Sequence, residues 1–148
     1  MNVFLDFEAS SLSKHSYPIE IAWVFEDGRS RSFLIRPLAT WTDWSHDAER
    51  IHGITRAMLS SDGTSITSVA DEMMKDLAGH DLHASSPSWD GKWLSVLLRA
   101  AGRPRHALRL RKSDDLFADT AAFILGDLAA TIDLVGLVAQ VIEASEPR

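Results

Sequence analysis

The sequence predicts an α/β domain built on a mixed β-sheet. Three segments rich in β-branched, aromatic and aliphatic residues come first, at residues 3–7, 17–25 and 31–36, and have the composition of strands. Segments with helical spacing of apolar residues then alternate with further short strands, an order that is typical of α/β domains. The length of 148 residues suits one domain, so we expect a single domain over residues 1–148.

The second and third predicted strands form a hairpin. Asp27 and Gly28 lie between them and are a turn signal, and Pro37 ends the return strand. Because the connection is short, the two strands must run antiparallel, while the strands separated by helices are expected to be parallel. Residues 38–50 carry no regular pattern and are expected to be irregular.

Helical periodicity is clearest between Ile66 and Leu77, where apolar residues recur every three or four positions. This pattern predicts about three turns of helix, closed by Gly79. A short helix is expected before it, at residues 56–59. The remaining predicted elements are a strand at 81–85, a helix that Gly102 and Pro104 end, a strand at 106–112, and helices at 114–125 and 128–144. The residues that line one face of the helix ended by Gly102 are Trp93, Leu94, Leu97, Leu98 and Ala101.

Composition excludes several classes of site. The chain has no cysteine, which excludes disulfides, thiolate metal sites and a cysteine nucleophile. No apolar run approaches the length needed to cross a bilayer and the first strand follows no basic leader, so we expect a cytoplasmic protein without a membrane partner. The formal net charge of −6 argues against a surface that binds nucleic acid everywhere. Whether the chain forms a homo-oligomer is left open.

Two carboxylates interrupt the first predicted strand. Asp6 and Glu8 are two residues apart, so the alternation of a strand places them on the same face. Two buried like charges are costly unless a cation lies between them, and carboxylate oxygens suit Mg²⁺ or Mn²⁺. The alternative is that the strand frays at Asp6 and both groups face water.

Four segments then resemble the DEDD exonucleases, the ribonuclease H-like 3′–5′ exonucleases. Residues 6–12, Asp-Phe-Glu-Ala-Ser-Ser-Leu, resemble the first motif of that family, and residues 17–22 are similar to its second strand. Residues 51–55 resemble the His-Gly-Ile segment of the proofreading type. Residues 85–90 lie where the family has its second motif, an aspartate after an aromatic residue. The resemblance implies a ribonuclease H-like mixed sheet, with an antiparallel hairpin and parallel strands, flanked by helices.

The resemblance also implies a chemistry. The family hydrolyses phosphodiester bonds at the 3′ end of single-stranded DNA or RNA, with two metal ions, Mg²⁺ or Mn²⁺, roughly 4 Å apart. By this resemblance Asp6 would bridge both ions, Glu8 would bind one, and Asp90 would hold the second.

The third family motif, His-x-Ala-x-x-Asp, has no full counterpart. Its closest register is residues 128–133, which keeps an alanine and Asp133 but has Leu128 where the histidine that acts as general base is expected. Asp133 would then be a further metal ligand. Alternatively, residues 114–144 are an inserted pair of helices and the domain is truncated at its C-terminus, with Asp133 an ordinary first-turn acid. No general base is identified, so the alternative function is a non-catalytic module that binds nucleic acid or a protein.

The resemblance assigns substrate contacts as well. For Ser10 and Leu12 the alternative is a serine-rich turn with a buried leucine. For His52 the alternative is a structural segment in which His52 caps a turn and Ile51 and Ile54 are buried. The residues assigned to substrate binding are Ala9, Ser10, Leu12, His52, Ser86 and Trp89.

A pair of tryptophans and a concentration of basic residues each have two interpretations. Trp89 and Trp93 could stack on bases, or pack a helix against the core. A basic concentration could steer a phosphate backbone, or form a solvated strand edge protected by charge. Its members are Arg99, Arg103, Arg105, Arg109, Arg111 and Lys112.

Overall fold

The computed structural model describes residues 1–112, so the helices predicted at 114–125 and 128–144 lie outside the described residues. Within that range the strands are β1 (Asn2–Ala9), β2 (Pro18–Phe25), β3 (Ser30–Leu34), β4 (Asp81–Ala84) and β5 (Leu110–Lys112). They form one sheet in the order β3-β2-β1-β4-β5. The helices are α1 (His46–His52), α2 (Arg56–Asp62), α3 (Ile66–Leu77) and α4 (Pro87–Ala100). The predicted mixed α/β sheet is confirmed.

Strand β1 lies at the centre of the sheet and has a different neighbour on each side. It pairs antiparallel with β2 from Val3 to Ala9, with a shift of register between Glu8 and Ala9, and β2 pairs antiparallel with β3, which confirms the hairpin. Its pairing with β4 is parallel and short, running only from Asn2 opposite Asp81 to Phe4 opposite His83. Strand β5 continues the parallel half of the sheet beside β4. The end of β1 beyond Phe4 is therefore paired on the β2 side alone among these strands.

The segment expected to be irregular contains helix α1. The Ser45 side chain caps its start by accepting a hydrogen bond from the Ala48 amide, and Gly53 ends it with a left-handed φ of 71°. None of its residues is buried, so it carries no apolar periodicity. The prediction failed because it relied on that periodicity, while the helix is defined by its two caps.

Two further boundaries differ from the predicted ones. Helix α4, whose apolar face the sequence predicted from Trp93 onwards, begins at Pro87, because proline is favoured in the first helical turn. Strand β5 covers only Leu110–Lys112, since a turn at Pro104, whose carbonyl accepts from the Ala107 amide, occupies part of the predicted strand. The short helix predicted at residues 56–59 extends to Asp62.

The two faces of β1 have different surroundings. Val3, Leu5 and Phe7 belong to the main hydrophobic core, together with apolar residues of α3 and α4 such as Val69 and Leu97. The alternate residues of β1 therefore project from the opposite face of the sheet, and Asp6 and Glu8 are among them. In the described part of the chain, no helix is long and apolar enough to cross a membrane.

Candidate metal centre

The carboxylates predicted as metal ligands are buried. The exposed fraction is 2% for Asp6, 6% for Glu8 and 0% for Asp90. The interpretation in which Asp6 and Glu8 face water is therefore wrong. Burial of a carboxylate requires compensation by hydrogen bonds, by a cation or by protonation.

The backbone brings Asp90 next to β1. Strand β4 stops pairing with β1 at Phe4. Further along β1, the main-chain amide of Phe7 donates a hydrogen bond to Asp90 Oδ1 at 3.2 Å. Asp90 lies in the first turn of α4, where its own amide donates to the Ser86 carbonyl at 2.9 Å. The first turn of α4 thus places this carboxylate beside β1, on the side where β4 no longer pairs with it.

The remaining oxygens of this pair lack partners. Both carboxylate oxygens of Asp6 and Oδ2 of Asp90 are buried without a hydrogen-bond donor among the described residues. Burial raises the pKa of Asp6 well above its usual value, and the negative charges of Asp90 and Glu20 raise it further. Burial also raises the pKa of Asp90, against the opposing effect of the bond from Phe7. These buried carboxylates are therefore stabilised either by protonation or by a bound cation, since each of these reduces their negative charge.

The sequence analysis missed Glu20 as a member of this group. In the antiparallel register Glu20 lies directly opposite Glu8, and Ala22 lies opposite Asp6, so Glu20 projects from the same face. Burial raises the pKa of Glu20 to about 7. An acid within an otherwise apolar strand was the available signal, although the sequence alone did not give the register with β1.

The group fits a divalent cation by its chemistry. Oxygens of buried carboxylates without donors are the ligands that Mg²⁺ and Mn²⁺ prefer. Over residues 1–112, however, no group of three or more histidine, aspartate or glutamate side chains is arranged so that it could hold a metal ion. Binding would therefore require these side chains to draw together. The further ligand predicted at Asp133 lies outside the described residues.

The loop after β1 is held by an aspartate that the sequence analysis did not single out. The Asp43 carboxylate accepts hydrogen bonds from the hydroxyls of Ser10 at 2.8 Å, Ser11 at 2.6 Å and Ser13 at 3.0 Å. These bonds lower the pKa of Asp43 despite its partial burial. Ser10 is fully buried and its oxygen also accepts from the Tyr17 amide. Its hydroxyl is therefore engaged within the protein, as in the serine-rich turn of the alternative interpretation.

The other end of this loop is fixed by α4. Lys92 donates to the Ser13 carbonyl at 2.8 Å and to the Ser16 hydroxyl at 3.2 Å, and the indole of Trp93 donates to Ser16 at 3.0 Å. Trp89 stacks on buried Trp93 with ring centres 5.5 Å apart, and Lys92 lies over the Trp89 ring. Trp89 thus packs against the core, as its structural interpretation predicts, but remains partly exposed.

The other predicted substrate contacts have varied surroundings. Leu12 is 43% exposed, so the interpretation with a buried leucine is wrong at this position. His52 Nδ1 accepts from the Ile54 amide at 2.9 Å, which is the cap of the structural interpretation. Ile54 is buried as that interpretation requires, whereas Ile51 is 48% exposed, so its predicted burial is wrong. Ala9, at the end of β1, and Ser86, before α4, are both buried.

Two of the basic residues form ion pairs with aspartates. Arg103 pairs with Asp71, and Arg111 pairs with Asp81. These pairs are solvent-accessible, in keeping with the solvated-edge interpretation. A separate cavity of about 590 Å³ lies at the hairpin end of the sheet, but its Arg31 is already paired with Glu72 and Asp76. Neither feature is a stronger candidate than the carboxylate group.

Comparison with known proteins shows the fold. No protein-family model and no curated protein matches the chain. Among solved structures it is similar to the exonuclease I of Methylocaldum szegediense, with a TM-score of 0.59 and 14% identity over 68% of this chain and 23% of that one. It is also similar to E. coli exonuclease I in complex with a dA16 oligonucleotide, with a TM-score of 0.65 and 14% identity over 82% of this chain and 29% of that one.

A third similar structure is the zinc-bound form of the E. coli exonuclease I complex with single-stranded DNA, with a TM-score of 0.64 and 14% identity over 82% of this chain. The chain spans less than a third of the length of these three proteins. At this identity the likeness establishes architecture rather than activity. The chain has a ribonuclease H-like mixed-sheet fold, which it shares with these exonuclease I structures.

Proposed function

We propose that this chain is a metal-dependent 3′–5′ exonuclease domain that hydrolyses phosphodiester bonds at the 3′ end of single-stranded DNA or RNA. The observation that carries the proposal is the Asp6 carboxylate, buried with both oxygens unpartnered beside Asp90. A core with this fold would be more stable with an apolar residue at that position unless a cation bound there. The likeness to structures of exonuclease I with single-stranded DNA supports the substrate class.

In the proposed mechanism Asp6, Glu8 and Asp90 hold the cations. Bound Mg²⁺ or Mn²⁺, expected as two ions, would supply a polarised phosphate and an activated water. The chain's own contribution is to fix the ligands: β1 sets the spacing of Asp6 and Glu8, and the Phe7 amide fixes one oxygen of Asp90. The low exposure of the three carboxylates keeps the charges in a medium where their attraction for a cation is strong.

The substrate end would lie against the loop after β1. Leu12 is the exposed apolar side chain of that loop, and Trp89 is a partly exposed ring on α4 near its other end. Both can contact a base without breaking a hydrogen bond of the protein, in contrast to Ser10. We assign the contact with the terminal nucleotide to Leu12 first, because its exposure needs no rearrangement.

A second candidate function is a non-catalytic module that binds nucleic acid or a protein. It is favoured by one observation, the absence of a histidine at the register of the third family motif, where the sequence has Leu128. Among the described histidines, His52 already accepts from Ile54 through Nδ1 and His83 bonds with Asn2.

The experiment that separates the two functions is the degradation of 5′-labelled single-stranded DNA and RNA with Mn²⁺. Wild type is compared with Asp6→Asn and with Asp62→Asn, a control at an exposed aspartate of α2. We expect a ladder shortened from the 3′ end with wild type and the control, and none with Asp6→Asn. Binding of the oligonucleotide without cleavage by all three proteins would favour the non-catalytic module.

A further inference from the structure

Helix α4 holds the segment that runs from β1 to β2 at two places. In its first turn, the Asp90 carboxylate accepts from the Phe7 amide of β1 at 3.2 Å. Two residues later, the Lys92 ammonium donates to the Ser13 carbonyl at 2.8 Å and to the Ser16 hydroxyl at 3.2 Å. Because α4 is one continuous helix, it sets where the loop after β1 lies relative to Asp90.

The contacts around Lys92 give its ammonium a defined position. Trp93, the next residue of α4, is 1% exposed and anchors the helix in the core, and its indole donates to the same Ser16 hydroxyl at 3.0 Å. The Ser16 oxygen therefore accepts from two side chains of α4. On its other side the Lys92 ammonium lies over the Trp89 ring, 5.4 Å from the ring centre. The ring and the two loop oxygens together fix the ammonium.

The oxygens that Lys92 binds are neutral. Within residues 1–112 Lys92 forms no ion pair, and its side chain is partly buried. Burial lowers the pKa of Lys92, and the negative charge of Asp43 opposes this effect. Hydrogen bonds from a charged donor are roughly twice as strong as those between neutral groups. Lys92 therefore holds the loop more firmly than a neutral donor in the same place would.

We propose that Lys92 is a positioning residue, which holds the loop that carries Leu12 at a fixed place relative to Asp90. Under the proposed exonuclease function, on which this inference rests, Leu12 contacts the terminal nucleotide and Asp90 belongs to the reacting centre. Leu12 is 43% exposed and directly precedes Ser13. Ser13 is held from both sides, since its hydroxyl donates to Asp43 and its carbonyl accepts from Lys92. Lys92 thus acts through the loop and not by contact with the substrate.

A set of four variants separates positioning from charge. Lys92→Met removes the ammonium but keeps a side chain of similar length, and Lys92→Arg keeps a charged donor. Ser16→Ala removes the oxygen that Lys92 and Trp93 share, but it leaves the charge of Lys92 in place. Lys75→Met, at an exposed lysine of α3, is the control. Far-UV circular dichroism and thermal unfolding check that each variant is folded.

Two measurements are made on the full chain. Amide hydrogen exchange over residues 10–16, without metal or substrate, reports how firmly the loop is held. Cleavage of 5′-labelled single-stranded DNA and RNA with Mn²⁺ gives kcat and KM separately. We expect Lys92→Met and Ser16→Ala each to speed the exchange and to raise KM by about fivefold or more, with kcat within about twofold because the carboxylates are untouched. Lys92→Arg should lie closer to wild type than Lys92→Met, and the control should match wild type.

The contrary outcomes are distinguishable. If exchange over residues 10–16 is unchanged in Lys92→Met, Lys92 does not hold the loop and the inference is wrong. If exchange is faster but kcat and KM are those of wild type, the positioning role is wrong. If Lys92→Met raises KM and Ser16→Ala does not, Lys92 acts through its charge and not through the loop. If wild type cleaves neither DNA nor RNA while exchange responds as expected, the proposed function is wrong and Lys92 has a structural role alone.

Discussion

The main-chain amide of Phe7 donates to Asp90 Oδ1 across 83 positions of sequence, at a distance of 3.2 Å. This hydrogen bond gives Asp90 a structural role besides the proposed role in metal binding. The two roles can be separated because an amide oxygen accepts the same bond as a carboxylate oxygen, while an alanine cannot accept it.

We expect Asp90→Asn to be more stable than Asp90→Ala by about 1–3 kcal/mol in the free energy of unfolding, because only the alanine leaves the buried Phe7 amide unpaired. The new amide group can also donate to the unpartnered oxygens of Asp6. Both variants are expected to lose Mn²⁺-dependent cleavage. Urea unfolding without metal measures the difference, and equal stability of the two variants would contradict the role of the Phe7 bond.

Stability without metal is expected to fall as the pH rises from about 5 to about 7.5, because the pKa values of Glu20 and Asp90 are raised to about 7 in the folded protein. The folded protein has raised carboxylate pKa values, about 7 for Glu20, whereas these groups titrate near 4 when unfolded. The folded state therefore binds more protons in this window, and the free energy of unfolding decreases with pH. His52, whose pKa is lowered by burial, has the opposite effect only below its usual value of 6.5.

The corresponding measurement is the midpoint of thermal unfolding at several pH values with and without Mn²⁺. Glu20→Gln should reduce the slope, and Mn²⁺ should raise the midpoint most at pH 8.5, where the carboxylates are ionised. A midpoint that is constant between about pH 5 and pH 7.5 without metal would contradict the raised pKa values of these carboxylates.

Asp43→Ala should loosen the loop between β1 and β2. The change removes the acceptor of three serine hydroxyl groups, so we expect a loss of about 1–3 kcal/mol in the free energy of unfolding. Faster amide hydrogen exchange over residues 10–16 should accompany it. Asp62→Ala, at an exposed position of α2, is the control and should change neither quantity. Unchanged exchange in Asp43→Ala would contradict the role assigned to Asp43.

Two glycines offer a matched pair of alanine substitutions. A Cβ at Gly63 would lie 2.2 Å from the Leu59 carbonyl oxygen and 2.8 Å from the Arg36 amide nitrogen, both backbone atoms that cannot turn aside. Gly63→Ala should therefore destabilise the protein by about 1–3 kcal/mol or more. A Cβ at Gly91, inside α4, meets nothing within 4 Å, so Gly91→Ala should stabilise it by up to about 1 kcal/mol through helix propensity. Thermal unfolding without metal measures both.

The architecture could be predicted largely because local patterns and tertiary structure agree. Strand composition located β1, and apolar spacing from Ile66 to Leu77 located α3 with the bounds that the structure has. The Asp27-Gly28 turn fixed the hairpin between β2 and β3. Helix α1 was missed because an exposed helix with polar caps has no buried stripe to reveal it.

The site was predictable only where its residues are close in sequence. The spacing of Asp6 and Glu8 placed them on one face, but their burial depends on residues far along the chain. Glu20 depends on the register between two strands, and Asp43 depends on how the segment before α1 folds back on the serine loop. A single sequence does not determine the register between two strands. It also does not determine how the segment before α1 folds back on the serine loop. The counterparts assigned at Asp90 and Ser86 came from the resemblance, not from local physics.

The short pairing between β1 and β4 has a consequence for how the protein would self-associate under stress. A strand edge without a neighbouring strand is a template for pairing with another chain. Among the described strands, β1 has no partner on the β4 side beyond Phe4. In the described part of the chain, Asp90 and the first turn of α4 occupy it at Phe7. Transient unwinding of that turn would uncover an apolar central strand while the rest of the sheet remained folded. Self-association under stress is therefore expected to begin at this edge, and a cation that draws Asp90 towards Asp6 would protect the protein against it.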